Sequence, residues 1–391
     1  MRINPVIASP IAGLHAFTGR GITKILVHPA SADIVFATTA GAVGGSGNNT
    51  LSNLFPPLAI RGLYRSTNAT ADAGSVGFTK LTVTTAGNDQ VPPDTTGNRG
   101  LYDAVFDPAN PNILMVTVQG QAVAGNEGGV YRTVNALDPS PTFTRTLGLG
   151  LLADGGFIRS ALAMNGATVY VATGEASTIT ACTSAGQFGV VRKSVDGGVT
   201  WSSPLPTGQG FCGGQCSYNL AIAVSPADPN VVYIGGQARG TCTDAVKRSS
   251  DGGSIFQRDD NNVHADTHGL VFDQNNVIYT VNDGGVWKRQ DAAPNTPWTN
   301  LNTAPLGTLQ FVSLAVHPTD QNLTIGGTQD NGTEMQSPVS GSWSRIQGGD
   351  GGYALIDQNA TDTTNVTMYH TFFFSTGSQI RYERSTNLGA T

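Results

Sequence analysis

Short apolar runs separated by polar turns recur along the whole chain. In each repeat, an apolar run is followed by a turn rich in proline, asparagine and aspartate, a second apolar run, a glycine-containing loop and a third run. Because proline fixes φ and asparagine or aspartate closes the reversal, each copy of the first turn predicts a hairpin. The copies lie at 27–35, 106–114, 224–232 and 316–322.

Two of the third runs lead into a second kind of turn with the pattern S-x-D-x-G-x-T-W. Glycine permits the positive φ angles of a tight reversal, and the aspartate side chain can accept hydrogen bonds from nearby backbone N–H groups. In the second copy an isoleucine and a phenylalanine replace the Thr-Trp pair. We expect both copies to be structural turns, defined by Ser194, Asp196, Gly198, Trp201, Ser249, Asp251, Gly253 and Phe256.

The repeated unit can be placed seven times, at approximately 21–82, 99–147, 156–204, 217–258, 264–301, 309–346 and 352–391. Units of roughly 40 to 60 residues with three or four short antiparallel strands are typical of propeller blades. The sequence therefore predicts an all-β fold, a seven-bladed β-propeller with aspartate turns, as a single domain over 1–391.

The last segment ends inside an incomplete copy of the aspartate turn, at 385–391, without its aromatic residue. Propellers commonly close by combining strands from both chain ends in one blade. The apolar run at 3–8 could supply the outer strand of the last blade. The alternative is that the chain, or further domains, continues beyond Thr391.

Composition supports many short strands over helices, with 50 Gly, 20 Pro and only 12% charged residues. The formal net charge of -6 comes without any block of like charges, which argues against nucleic acid as a partner. No apolar stretch approaches the ~20 residues that span a bilayer, so we expect no membrane insertion.

Four cysteines lie in the middle third of the chain: Cys182, Cys212, Cys216 and Cys242. An even number in a loop-rich chain favours disulfides and an exported protein, whereas the spacing is poor for zinc. Cys182 and Cys242 lie in corresponding loops of adjacent segments, so we predict the pairs Cys182–Cys242 and Cys212–Cys216. The expected location is secreted or at the cell surface, with the signal peptide absent from this sequence.

The turns at 194–201 and 249–256 resemble those of the Asp-box (BNR) repeat superfamily of β-propellers, which includes sialidases, family 74 glycosidases and sortilin receptors. The runs HADTHG, NDGGVW, GGTQDNGT and GGDGG, between His264 and Asp357, are similar to those of bacterial exported proteins described as sortilin-like or BNR glycosyl hydrolases. The resemblance implies a propeller. It indicates little about activity, because enzymes and receptors share this turn.

Three polar residues alternate in the fifth segment: His264, Asp266 and His268. On a predicted innermost strand their side chains would share one face. They could hydrogen-bond to neighbouring blades, bind a divalent metal ion, or contribute acid-base or ligand-binding groups.

Three aspartates lie beside glycines in the last three segments: Asp283, Asp330 and Asp350. If the blade register holds, they approach the same mouth of the propeller. Concentrated carboxylates could hold Ca²⁺ or shift a pKa, although each Asp-Gly or Asp-Asn pair is also an ordinary turn former.

Glycoside hydrolysis needs a pair of carboxylates, and further candidates are Asp103 and Glu175. Glu175 could equally be a solvated residue at a strand end. Arg20, Arg99 and Arg159 precede or enter innermost strands, where they could bind a carboxylate or hydrogen-bond between blades.

No catalytic constellation is complete in the sequence, so we expect a binding or structural module. Its ligand would be a glycan, a protein or another copy of the chain. Candidate binding residues are His264, His268, Glu175 and Asp103. The alternative is a glycoside hydrolase that draws a carboxylate pair from Asp266, Asp283, Asp330 and Asp350.

Overall fold

The computed structural model describes residues 17, 20–40, 61–72, 74–83, 100–107, 109–119, 128–148, 159–176, 187–207, 211–238, 244–303, 306–374 and 379–388. In these ranges the chain forms strands and no helix. The strands build seven antiparallel sheets, and the strand order in each sheet follows the chain. This is the architecture of a seven-bladed β-propeller, and it confirms the predicted fold class.

The first four sheets contain three or four described strands each. Their bounds are β1 (Gly21–His28), β2 (Ser31–Ala40), β3 (Gly62–Ser66) and β4 (Thr79–Leu81); β5 (Leu101–Phe106), β6 (Leu114–Val118), β7 (Gly129–Thr133) and β8 (Thr144–Gly148); β9 (Ser160–Asn165), β10 (Thr168–Ala176) and β11 (Gln187–Ser194); β12 (Ala221–Val224), β13 (Val232–Gly235), β14 (Val246–Ser249) and β15 (Gln257–Arg258).

The last three sheets repeat the pattern. Their bounds are β16 (Thr267–Phe272), β17 (Val277–Asn282), β18 (Gly285–Gln290) and β19 (Thr299–Asn300); β20 (Phe311–Val316), β21 (Thr324–Thr328), β22 (Gly332–Gln336) and β23 (Trp343–Gln347); β24 (Asp350–Ile356), β25 (Met368–Phe374) and β26 (Gln379–Ser385).

The chain divides into two compact units. The first unit comprises Met1–Thr280 and Lys288–Thr299, and the second comprises Val281–Trp287 and Asn300–Thr391. The first four sheets belong to the first unit and the last two to the second, whereas the strands of the fifth sheet contribute to both.

The turns between first and second strands form as the sequence predicts. β1 and β2 pair with Val27 opposite Val35 and His28 opposite Ser31. In the second sheet Asp107 Oδ1 accepts the N–H of Ala109 at 2.8 Å. The short polar side chain of Asp107 thus helps to close the reversal.

The core of the first unit lies between the faces of neighbouring sheets. One cluster joins buried residues of the first two sheets, including Phe36, Leu63, Leu101 and Leu114. Each such side chain contributes on the order of 1.5–3 kcal/mol when it is fully buried.

The glycine runs of the second unit allow β24 to approach β21 and the start of β22 at backbone distance. A Cβ atom on Gly327 would collide with the carbonyl of Gly352, and one on Gly351 would collide with the carbonyl of Gly332. Glycine is required there because any side chain would separate the strands.

An aromatic residue begins the outermost segment of each of the first six sheets. In the third sheet this segment is irregular, but it still covers β11, because Ser202 N–H donates to Lys193 O and Leu205 N–H to Val191 O, both at 2.8 Å. The aromatic residues are Phe78, Phe143, Trp201, Phe256, Trp298 and Trp343.

Candidate functional site

A polar cavity of about 150 Å³ lies in the first unit, where the first strands of its sheets run side by side. These strands are β1, β5, β9, β12 and β16. The polar side chains that line the cavity include Lys24, Tyr102, Asp103, Arg159, Ser160 and His268.

Asp103 is the one carboxylate among the described lining residues, and its oxygens are already engaged. Its Oδ2 accepts the backbone N–H of Leu162 at 2.8 Å, and its Oδ1 accepts that of Ala104 at 2.9 Å. Lys24 Nζ lies 3.0 Å from Oδ1. A carboxylate held this way positions its neighbours and is poorly placed to exchange protons with a substrate.

Arg159 and Tyr102 form the second part of the lining. Burial lowers the pKa of the Arg159 guanidinium below its usual value, and the nearby Tyr102 and Asp103 act in the opposite direction. Burial also raises the pKa of the Tyr102 phenol, while Arg159 and Arg61 lower it. Both groups keep their protons near neutral pH, so both can donate hydrogen bonds.

Ser160 adds a buried hydroxyl to the cavity. The residue is 2% exposed, and its Oγ makes no hydrogen bond within the described ranges of the chain. A buried polar atom of this kind costs free energy until a partner satisfies it. It is therefore a suitable donor or acceptor for a bound ligand.

His264, Asp266 and His268 do not share one face, so the predicted alternation is wrong. β16 begins at Thr267, and Asp266 adopts a left-handed conformation with φ of 63°. This turn breaks the period-2 pattern that a strand would impose. His268 alone lines the cavity, and its ring packs edge-on against Tyr218 at 4.7 Å between centroids.

The side chain of His264 lies close to the backbone that precedes β16. Its Nδ1 is 3.3 Å from the carbonyl oxygen of Ala265. Within the described ranges, no group of three or more His, Cys, Asp or Glu residues could hold a metal ion. The predicted ligand set of His264, Asp266 and His268, and a Ca²⁺ site among the aspartates, thus find no matching geometry there.

Asp330 and Asp350 come together in the second unit. The backbone N–H of Asp330, which has φ of 62°, donates to Asp350 Oδ1 at 3.1 Å. Asn331 Nδ2 donates to the carbonyl oxygen of Asp283 at 2.9 Å. Hydrogen bonds therefore join the loops that carry these three aspartates, which is the role that aspartate and asparagine have in structural turns.

Glu175 is an ion-paired residue and not a solvated strand end. It forms a bidentate pair with Arg192, whose Nη2 lies 3.0 Å from Oε2 and whose Nη1 contacts Oε1. Thr173 Oγ1 donates to Oε1 at 2.5 Å. These bonds tie β10 to β11 and leave Glu175 outside the lining of the cavity.

Local hydrogen bonds of the Ser194 and Asp196 side chains hold the turn at 194–201 together. Ser194 Oγ donates to Asp196 Oδ1 at 2.7 Å, and the N–H of Thr200 donates to the same oxygen at 2.9 Å. Hydrogen bonds from Thr200 and Ser194 hold the pKa of the Asp196 carboxyl well below its usual range. Gly198 has φ of 83°. In the second copy, Ser249 Oγ donates to Asp251 Oδ1 at 2.7 Å and Gly253 has φ of 95°.

Two related turns escaped the sequence pattern. Thr133 Oγ1 donates to Asn135 Oδ1 at 2.7 Å, and Ser66 Oγ donates to Asn68 Oδ1 at 3.2 Å. Asparagine supplies the same acceptor oxygen as aspartate, so a search for S/T-x-D/N after each third strand would have found both.

Cys212 and Cys216 form the predicted disulfide, with Cα atoms 4.8 Å apart. Both residues are buried in the core between the third and fourth sheets. The other predicted pair, Cys182–Cys242, lies outside the described residues.

In the part of the chain that the structure describes, no helix has the length and apolar character needed to cross a membrane.

No protein-family model matches the chain, and no curated protein matches it. Among solved structures, the chain is similar to a GH74 enzyme from Niastella koreensis with a TM-score of 0.49 and 16% identity, over 95% of this chain and 64% of that one. It is also similar to an ancestral GH74 enzyme, with a TM-score of 0.49 and 14% identity, over 93% of this chain and 51% of that one.

A third similar structure is the β-propeller domain of Cps50 (Swd1) from Myceliophteria thermophila. The TM-score is 0.39 and the identity 10%, over 93% of this chain and 97% of that domain. The chain spans 64% and 51% of the two GH74 structures. At these identities the likeness concerns the fold alone, and site chemistry has to come from this chain's own residues.

Proposed function

We propose that the chain is a non-catalytic binding module that takes an acidic group of a glycan or protein ligand in the cavity of the first unit. The observation that supports this proposal is the excess of donors over acceptors around Asp103. Arg159, Tyr102 and Ser160 line the cavity, and the oxygens of Asp103 accept hydrogen bonds from the protein itself.

An acidic ligand suits this lining for electrostatic reasons. The Arg159 guanidinium presents planar donors that match a carboxylate, and Lys24 offsets the negative charge of Asp103. A small cavity accepts one such group, and the exposed ring of Tyr218 beside His268 offers a surface on which a sugar ring or side chain can rest.

The test is a binding screen with matched acidic and neutral polysaccharides and peptides. We expect acidic ligands to bind preferentially, with affinity that falls as salt rises. Arg159→Gln should weaken binding at least tenfold, because a buried charge-assisted pair is lost. Arg345→Gln, an exposed change in the second unit, is the matched control and should bind normally.

Equal binding of neutral and acidic ligands, or normal binding by Arg159→Gln, would contradict the proposal. The alternative function is glycoside hydrolysis, for which the candidate carboxylates Asp283, Asp330 and Asp350 lie on loops that hydrogen bonds join in the second unit. If the protein releases sugar from polysaccharides of the same panel, and Asp283→Asn or Asp350→Asn abolishes the release, then hydrolysis and not binding is the function.

Membership of the Asp-box superfamily and export from the cell are part of the same proposal. The hydrogen bonds of the turns at Ser194 and Ser249 support the first. The Cys212–Cys216 disulfide supports the second, because disulfides persist in oxidising compartments.

A further inference from the structure

A larger cavity, of about 540 Å³, adjoins the polar cavity of the first unit. Four residues line both cavities: Lys24, Leu162, Ile222 and Leu270. On β9, β12 and β16, the residues that line only the polar cavity come before the shared residue, and those that line only the larger cavity come after it. The two cavities therefore follow each other along the same strands and meet at the shared residues.

Most of the described residues that line the larger cavity are apolar. Met164, Leu270 and Phe272 are half-buried, and Val271 is 60% exposed. Apolar side-chain surface is therefore available to a ligand there. The volume also suits a small-molecule ligand, because such sites are usually apolar cavities of about 300–1,000 Å³ with a few polar groups at defined places.

Two polar residues of the larger cavity take part in turns at its far end. Asn165 Nδ2 donates to the carbonyl oxygen of Ser225 at 2.7 Å. Asp273 Oδ1 accepts the N–H of Asn275 at 2.8 Å and that of Val277 at 2.9 Å. The polar groups of a sugar ring or a peptide main chain would compete with these bonds or stay unpaired, which costs free energy. A hydrocarbon body carries no such groups.

The polar cavity supplies donors at the other end. Arg159 Nη1 donates to the carbonyl oxygen of Tyr218, which fixes the position of the guanidinium. Because a guanidinium carries five N–H donors, the same group can also bind a carboxylate. The Tyr102 phenol and the Ser160 hydroxyl line the same cavity. Donors for an acid and apolar surface for a hydrophobic body thus lie next to each other along β9.

We propose that the two cavities together bind an amphipathic carboxylic acid of small-molecule size. Its carboxylate lies at Arg159, Tyr102 and Ser160, and its apolar body lies in the larger cavity against Leu270 and Val271. This inference rests on the proposed function, because it uses the same acid-binding side chains, and it extends that function from glycans and proteins to a free acid.

A series of straight-chain acids tests the role of the larger cavity. Butanoate, hexanoate and octanoate are titrated into the full chain by isothermal titration calorimetry. Affinity should rise about fourfold for each added methylene group that is buried. The heat-capacity change of binding should become more negative along the series, because more apolar surface leaves water.

Two further ligands separate the acid from the apolar body. Octanamide has the same body without the charge and should bind at least tenfold more weakly than octanoate. Glucuronate has the acid without the apolar body and should also bind more weakly than octanoate. Arg159→Gln should weaken octanoate at least tenfold, whereas the exposed control Arg345→Gln should leave it unchanged.

Variants of the apolar wall locate the body of the ligand. Val271→Ser removes apolar surface from the larger cavity and should weaken octanoate several-fold while leaving glucuronate unchanged. Val134→Ser is the matched control, because Val134 is 57% exposed and lies in the turn after β7, away from both cavities. It should bind octanoate normally.

Equal affinity of butanoate and octanoate, with both weakened by Arg159→Gln, would overturn this inference and leave the proposed function standing. Equal affinity of octanoate and octanamide would contradict both. Equal effects of Val271→Ser and Val134→Ser on octanoate would place its body elsewhere and overturn the inference. If Val271→Ser fails to fold, the chain-length series in the unaltered protein decides the question.

Discussion

Replacement of Trp298 tests how much the aromatic residues at the outermost segments contribute to stability. Trp298 is 2% exposed, and its Nε1 donates to the carbonyl oxygen of Asp259 at 2.8 Å. Its ring also lies 4.8 Å from the guanidinium of Arg289, which is paired with Asp259. The side chain therefore shields a buried ion pair as well as filling space.

The expected loss of free energy of unfolding in Trp298→Ala follows from these contacts. Truncation of a buried tryptophan to alanine costs about 3–5 kcal/mol. The carbonyl of Asp259 also loses its donor, which adds about 1–3 kcal/mol if no water replaces the indole. We expect the free energy of unfolding to fall by at least about 4 kcal/mol.

Trp343 provides the matched control, because it begins the outermost segment of the sixth sheet but is 42% exposed. Trp343→Ala should cost only about 1–2 kcal/mol, since less apolar surface is removed from the interior. Urea titrations followed by far-ultraviolet circular dichroism measure both values. Similar losses for the two variants would refute the view that burial and the Asp259 hydrogen bond set the contribution of this position.

Two further predictions concern pH and backbone conformation. Burial raises the pKa of Asp259 from 3.8 to about 6 against the opposing effect of Arg289, so the folded protein holds this proton more tightly than the unfolded chain. This group contributes about 3 kcal/mol to the free energy of unfolding below pH about 4, and the contribution is lost as pH rises through about 6. Melting temperatures measured between pH 4 and 7 should show this decline. In Asp259→Asn the pH dependence should be smaller. Gly198→Ala should destabilise the protein more than Gly166→Ala. Both positions have positive φ, so the backbone cost of about 1–2 kcal/mol is common to the two variants, but only at Gly198 does the new Cβ collide with Met115. Equal melting temperatures of the two variants would contradict this.

The fold was predictable because its signals are local. A proline or aspartate turn such as that at Asp107 specifies a hairpin through bonds within three residues, and the turn at Ser194 does so within seven. Apolar runs between such turns leave little choice but short antiparallel strands. Seven repeats of this pattern predict a propeller without any long-range information.

The candidate site depended on contacts that the sequence does not record. The alternation in the HADTHG run predicts a strand, but Asp266 takes a left-handed conformation that no alternation pattern reveals. Glu175 pairs with Arg192 on the next strand. The two residues are distant in sequence, and only the pairing of β10 with β11 brings their side chains together. The meeting of Tyr102, Asp103 and Arg159 requires two neighbouring sheets to pack in register, which is a tertiary property.

The turn at Ser194 has a consequence for the order in which the chain folds. The hydrogen bonds that the side chains of Ser194 and Asp196 make within the turn join residues no more than four apart. Closing such a short loop costs little chain entropy and occurs far faster than pairing between distant segments. A sheet that contains such a turn can therefore assemble as a local kinetic unit before its neighbours are in place, so that packing between sheets becomes the slow step.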